Sequence, residues 1–328
     1  TKAGEAPIVC VGFALTDNLS ITIPTTKSYW GAQLDQVWET IRYLCALPVH
    51  KGTHNVFHEI YWLWAERQIE LVNPWWDSMY MHHTLDPAAP HGLDFCASVD
   101  TREPYWKAEA KDPDEARKYT SNMSAFYTYN GKDCCVTREL IDVYYRRLLS
   151  ERRTSTTETI DGVAYYLSRY ASVFHPLFDL MRTGVRVDSQ QRQQQYETLM
   201  QQVASYKQEV IAAGADIYTT GKKSKGGVSR KKLSEYLYAQ LALPVQYVKD
   251  KKKGVKKPTT NEIAIRKLAH QFPDKLGVIG PLILNCVRCT TLSKFYLEGR
   301  VDDDGYFRSS YGLNTEAGRL NSKESPRG

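Results

Sequence analysis

The sequence predicts an α/β domain followed by a mainly helical, basic one. Short β-branched runs alternate with amphipathic helical patterns up to residue 153, and helical periodicity dominates beyond it. Charge is also segregated: residues 1–150 hold 14 Lys and Arg against 19 Asp and Glu, whereas residues 151–328 hold 29 against 18. The whole chain of 328 residues is 42% hydrophobic and 24% charged, enough to bury two cores and outside the range of disordered chains.

Taken in order, Pro7–Leu15 and Leu19–Pro24 are apolar, β-branched runs separated by an Asp17-Asn18 turn, which predicts paired strands. Leu34, Val37, Trp38, Ile41 and Leu44 recur at spacings of three and four and predict a helix. Residues 48–52 read as a short strand or loop, and residues 55–68 as a second helix. After Asp112-Pro113-Asp114 a helix is expected through Arg153, interrupted at Asn130-Gly131. The small polar run Thr154-Ser155-Thr156-Thr157 is the expected linker, dividing the chain into residues 1–153 and 154–328. Beyond it, helices are expected over 160–182, 189–213, 231–242, 261–272 and 278–299, with two basic loops at 221–232 and 249–257.

Several classes are excluded early. No run of eighteen apolar residues is present, so no membrane-spanning helix and no membrane partner are expected. Thr1–Pro7 lacks the pattern of a secretory leader, which points to a cytoplasmic protein and deprives the sequons at Asn18 and Asn122 of meaning. Seven cysteines (Cys10, Cys45, Cys96, Cys134, Cys135, Cys286, Cys289) form an odd, irregular set that fits free thiols in a reducing compartment. Cys286-Val287-Arg288-Cys289 lacks the second pair of a zinc ribbon and reads as a buried thiol pair. The chain starts at Thr1 without a methionine and stops in a loop-like stretch at Gly328, and both ends read as cut edges.

Two clusters can carry chemistry. In Tyr129-Asn130-Gly131-Lys132-Asp133, helical spacing puts the phenol and the carboxylate on one face. A carboxylate can hold a divalent metal and a tyrosine hydroxyl can orient a water, although the same spacing fits a plain surface pair. His54-Asn55-Val56-Phe57-His58-Glu59 leaves two readings open. One is a His54/His58 metal pair, for which His82-His83 is only a loose third ligand. The other pairs Asn55 with Glu59, making Glu59 a second metal carboxylate. The aromatic clusters Trp62, Trp64, Trp75, Trp76 and Tyr165, Tyr166 could stack bases, but their spacing fits buried helix faces.

In order and spacing these segments resemble a family A DNA polymerase of the bacteriophage type, from inside its 3′–5′ exonuclease domain into its thumb. Asn55…Glu59 resembles the second exonuclease motif, Asn-x-x-x-Asp, with Glu in place of Asp, and Tyr129…Asp133 resembles the third, Tyr-x-x-x-Asp. Trp76-Asp77-Ser78-Met79, His91–Phe95 and Glu103–Lys107 resemble the segment between them. Arg182–Asp188 resembles the opening of the polymerase domain, and Pro258–Glu262 the segment before a following helix. Val228–Leu233 resembles the thumb's Ser-Pro-Lys-Gln-Leu, with Arg230 and Lys232 replacing Pro and Gln. Thr315–Ser322 resembles Thr-x-Thr-Gly-Arg-Leu-Ser-Ser, departing from it at Ala317 and Asn321.

The resemblance implies a ribonuclease H-like 3′–5′ exonuclease domain lacking its first strand (residues 1–153), followed by a mainly helical polymerase thumb and the beginning of a palm (residues 154–328). It implies Tyr129, Asp133 and Glu59 as catalytic residues, with Asp133 and Glu59 as ligands of Mg2+ (or Mn2+). It implies Asn55, Ser229, Arg230, Lys231, Lys232 and Arg319 as nucleic-acid contacts. The partners would be primer–template DNA and the 3′ end of single-stranded DNA, with deoxynucleotides reached only through palm and fingers segments that this chain lacks. The family's Asp-x-Glu is expected just before Thr1 and is not in the chain, so the two-metal sites are expected to be incomplete and the isolated chain inactive. A phage-encoded protein of this kind would work in the cytoplasm of a bacterial host.

Two details have a physical rationale. Every base pair offers a minor-groove acceptor in nearly the same place, so an Arg such as Arg319 can test pairing without reading sequence. Basic loops track phosphates regardless of sequence, or are simply solvated. Two other functions remain open at this point: a non-catalytic DNA-binding subunit of a split polymerase, and a stand-alone DEDD-type 3′–5′ exonuclease.

Overall fold

The computed structural model describes residues 8–103, 123–154, 159–218, 227–249 and 256–324. The chain packs as two compact units, residues 1–185 with 308–328, and residues 186–307, each around its own hydrophobic core. Compactness thus divides the chain at 185/186 and 307/308, whereas the sequence boundary was expected at 153/154. The reason is that Val163, Tyr166, Tyr170, Phe174, Phe178 and Met181 all join the core of the first unit.

In the first unit, β1 (Cys10–Ala14) and β2 (Ser20–Pro24) form the expected antiparallel pair, in register from Cys10 opposite Pro24 to Ala14 opposite Ser20. A short α1 (Lys27–Trp30) precedes α2 (Leu34–Ala46), which buries Trp38, Ile41 and Cys45 on one stripe. β3 (Gly52–Thr53) runs parallel to β4 (Trp76–Asp77). Each of these strands ends almost at once in a helix, α3 (Val56–Arg67) and α4 (Ser78–Leu85) respectively. Among the described residues every sheet is therefore two-stranded, and the expected α/β layer takes the form of small ribbons packed on helices.

After α5 (Leu93–Asp100) comes α6 (Met123–Ser150), which runs unbroken through Asn130-Gly131 where an interruption was expected. Gly131 is buried there for another reason: a Cβ would meet Ser20 Oγ at 2.8 Å, so the residue lets β2 lie close to the helix. Strands β5 (Arg152–Thr154) and β6 (Thr159–Asp161) pair where the linker was expected, and residues 155–158 lie outside the described residues. Asp161 caps α7 (Gly162–Arg169) by accepting the Ala164 N–H at 2.7 Å. The single helix expected over 160–182 breaks at 170–173 before α8 (Phe174–Thr183), which ends on Gly184 at φ 69°.

In the second unit α9 (Ser189–Ala212), capped by Asp188, buries only Val203 and Val210. A short α10 (Arg230–Glu235) widens into a π turn at Tyr236–Gln240. Strands β7 (Tyr247–Lys249) and β8 (Lys256–Pro258) pair at the flanks of the second basic loop. Helices α11 (Glu262–Gln271), α12 (Pro273–Leu276) and α13 (Ile279–Leu292) complete the unit, and α13 packs along α9. Cys286 and Cys289 are buried in α13 and all seven cysteines are free, so the thiol-pair reading fits. The chain then returns to the first unit with β9 (Ser309–Gly312) antiparallel to β10 (Asn321–Glu324). No described helix is long and apolar enough to cross a membrane.

Candidate functional site

The corner where β3 and β4 give way to α3 and α4 is built around Asp77. Its side chain is fully buried, with Oδ2 accepting the Val56 N–H at 2.6 Å and the Thr53 hydroxyl at 2.8 Å, while Oδ1 accepts the Tyr80 N–H at 3.0 Å. One carboxylate thus caps two helices. The Tyr166 hydroxyl accepts the Asp77 N–H at 2.8 Å and donates to the Trp75 carbonyl at 3.0 Å. Burial pushes the Asp77 carboxyl up to about 6, against the pull of its hydrogen bonds.

Asn55 occupies the cap position of α3 but makes no capping bond, and its backbone is left-handed at φ 73°, ψ 64°. Asp77 does the capping, which releases Asn55 to line an open groove of about 400 Å3 with His54, Met79, His91, Leu93 and Asn314. Asn and Asp tolerate this backbone better than other non-glycine residues.

Glu59 lies one turn further along α3. It is half-buried, yet its Oε2 is shielded from solvent and has no hydrogen-bond partner among the described residues. Burial, then the charge of Asp77, pushes its carboxyl up to about 8. On α6, Tyr129 and Asp133 are likewise half-buried. The Cys134 thiol on α6 is pushed up to about 12 by burial, and after that by the charges of Asp133, Cys135, Glu59 and Cys10. The structure therefore places Glu59 and Asp133 in the surroundings of one thiol. The β1–β2 hairpin backs this corner, since a Cβ on Gly12 would meet Cys134 Sγ at 2.5 Å, and Thr22 donates to Asn130 Oδ1 at 3.1 Å.

The His54/His58 zinc reading is overturned. His54 Nδ1 bonds the Ser78 hydroxyl at 2.8 Å, while His58 lies 3.9 Å from Glu59 Oε1 and packs beside Trp62. His82 pairs with His91 at 2.8 Å and His83 with the Tyr170 hydroxyl at 2.8 Å, so neither joins them. Among the described residues no group of three or more His, Cys, Asp and Glu side chains is placed to hold a metal. Glu59 and Asp133 are nonetheless hard oxygen donors of the type Mg2+ or Mn2+ takes, and the orphaned Glu59 Oε2 fits such an ion.

The basic candidates are arranged differently. Ser229 accepts the Lys232 N–H at 3.3 Å and so caps α10. Arg230 and Lys231 project as exposed residues, whereas Lys232 is tied to Asp216 at 3.1 Å. Of the first basic loop, residues 221–226 lie outside the described residues, as do 250–255 of the second. Arg319 is exposed on a closed turn in which the Gly318 N–H bonds the Thr315 carbonyl, and Thr315 Oγ1 bonds the Arg319 N–H and carbonyl, each at 2.7 Å.

Sequence reasoning missed Asp77 as the organising carboxylate, although an Asp immediately before the helical run from Ser78 is a cap signal. It also missed His83 and Arg169, which hold the Thr315–Arg319 turn. Of the aromatic clusters, Tyr166 is fully buried and stacks on Trp76 at 5.9 Å, and Trp64 meets Phe178 edge-on at 6.0 Å. Trp75 is exposed and stacks on His50 at 5.1 Å.

No protein-family model matches the chain, and no curated protein matches it. Among solved structures it is similar to the POL domain of Pol1 from M. smegmatis, determined in complex with DNA primer-template and dNTP, with a TM-score of 0.66 and 18% sequence identity. The likeness covers 98% of this chain and 49% of that one, so the chain spans about half the length of that structure. At this identity the likeness establishes a DNA polymerase-related fold.

Proposed function

We propose that this chain is part of a DNA-directed DNA polymerase, supplying a portion of a 3′–5′ exonuclease site and the thumb that grips duplex DNA. The observation that carries the reading is the fold likeness over 98% of the chain to a polymerase domain solved with primer-template and dNTP. The corner formed by Asn55, Glu59 and Asp133 adds to it, since the segments resembling exonuclease motifs lie on two helices that share one thiol's surroundings.

In this reading Glu59 and Asp133 hold the divalent ion, which when bound polarises a phosphodiester and activates water. Tyr129 orients that water, and Asn55 on the groove holds the nucleotide at a single-stranded 3′ end. Arg230 and Lys231 contact phosphates, and Arg319 probes the minor groove at the primer terminus. Glu59 is one methylene longer than the Asp it replaces, so an ion held there would sit about an ångström from the family's position and hydrolysis would slow.

With only two candidate carboxylates among the described residues, the isolated chain should bind primer–template DNA with strong salt dependence and not degrade single-stranded DNA in Mg2+. Fluorescence anisotropy against salt and a gel assay of labelled single strands test both halves. Robust metal-dependent degradation would instead favour a stand-alone exonuclease.

A further inference from the structure

The turn that carries Arg319 is held by two side chains distant in sequence, both within the first unit. His83, on α4, is 3% exposed and lies between two partners: its Nδ1 is 2.8 Å from the Tyr170 hydroxyl and its Nε2 is 3.1 Å from the Thr315 carbonyl oxygen. A carbonyl can only accept, so Nε2 carries the hydrogen and Nδ1 accepts from Tyr170. Tyr170 is itself 4% exposed, which leaves the ring little freedom to turn. The second anchor is Arg169 at the end of α7, whose guanidinium donates to the Gly318 carbonyl. Gly318 has φ 65°, and a Cβ there would meet Arg169 Nη2 at 3.2 Å, so glycine permits both the turn and the approach.

We infer that His83 and Arg169 are positioning residues for the Thr315–Arg319 turn, fixing it against α4 and α7 so that the Arg319 guanidinium is presented from one place. Two anchors on two helices, each gripping a different carbonyl of one turn, fix its tilt as well as its distance. How the turn is held follows from the contacts above; what Arg319 meets rests on the polymerase reading.

Amide hydrogen exchange of the full chain tests the holding directly. His83→Leu and Arg169→Leu should each raise exchange over residues 315–319 by about tenfold, the order of a lost tertiary anchor, while α6 amides stay protected. His83→Gln, whose amide N–H can still reach the carbonyl, should restore protection. Arg169 is exposed, so its variant folds even where a change at buried His83 does not. Unchanged exchange over 315–319 in the Arg169→Leu chain overturns the inference, and so does His83→Gln behaving like His83→Leu.

Binding to a primer–template duplex gives the second readout. His83→Leu and Arg319→Ala should weaken binding to similar extents, and the double variant should be no weaker than Arg319→Ala alone. Additive losses count against positioning. If exchange rises and His83→Gln rescues it while Arg319→Ala binds like the parent, the positioning stands and the polymerase reading of Arg319 falls.

Discussion

Two helix starts in this molecule are built in opposite ways. α10 is capped by its own Ser229, three residues from the amide it accepts, and its exposed Arg230 and Lys231 follow directly from local sequence. α3 begins on an Asn55 that does not cap, and the missing acceptor comes from Asp77, 21 residues beyond the amide of Val56. The local solution gives an autonomous basic helix end. The tertiary solution locks two helices and two strands together and leaves Asn55 available to the groove. On the proposed function, a surface that grips phosphates needs only charge in roughly the right place, whereas a corner that would hold a nucleotide end beside carboxylates needs fixed geometry.

The largest effect should come from removing the shared cap. Asp77→Ala strands the Val56 and Tyr80 amides and the Thr53 hydroxyl, and should cost about 3 kcal/mol or more, read by chemical denaturation. A loss near that of an ordinary single cap would erase the contrast with α10. Next is Gly12→Ala, whose added methyl runs into Cys134 and Asn130 and should cost about 1–3 kcal/mol. Gly12 sits in β1, so a neutral outcome would mean that the hairpin does not press on the candidate corner.

A smaller, pH-dependent effect belongs to Glu59. The unfolded carboxyl ionises in the usual range while the folded one keeps its proton up to about 8, so folding takes up a proton and stability falls as pH rises through that window. Asp77 acts with the same sign up to about 6, whereas His82, His83 and His91, held below the ordinary histidine value by burial, lose stability on the acid side. Glu59→Gln should therefore flatten the fall of melting temperature from the ordinary carboxylate range up to about pH 8. The expected gain is on the order of 1 kcal/mol at pH 8, because the side chain is 39% exposed and partly screened. Smallest is Ser229→Ala, which should destabilise the second unit by about 1 kcal/mol in urea unfolding and leave the first untouched. The companion Lys231→Ala should lower the salt slope of duplex binding by about 1.

Much of the secondary structure was legible. The hairpin of β1 and β2, the stripe of α2, and α3, α9 and α11 all follow from apolar spacing and cap residues such as Asp188 and Asn261. Three features were not. Asn130-Gly131 looks like a helix breaker, but β2 closes over it and packing outweighs glycine's helix penalty. The helical pattern over 160–182 conceals a break, because Tyr166, Tyr170 and Phe174 all have to reach the same core across it. The compact units divide elsewhere than at 154, because a polar linker says nothing about which core the following helices join.

The candidate site divides in the same way. By itself the sequence determined that Tyr129 and Asp133 share a helix face, because a helix fixes the neighbours of residues four apart. It also determined the segregation of charge. Only the tertiary structure decided that Asp77 rather than Asn55 caps α3, that the charges of Glu59 and Asp133 both act on the Cys134 thiol, and that His83 reaches Thr315 across 232 residues. Those contacts arise when separate elements bury their apolar faces together, and periodicity within an element carries no record of which distant polar atom the packing will bring beside it.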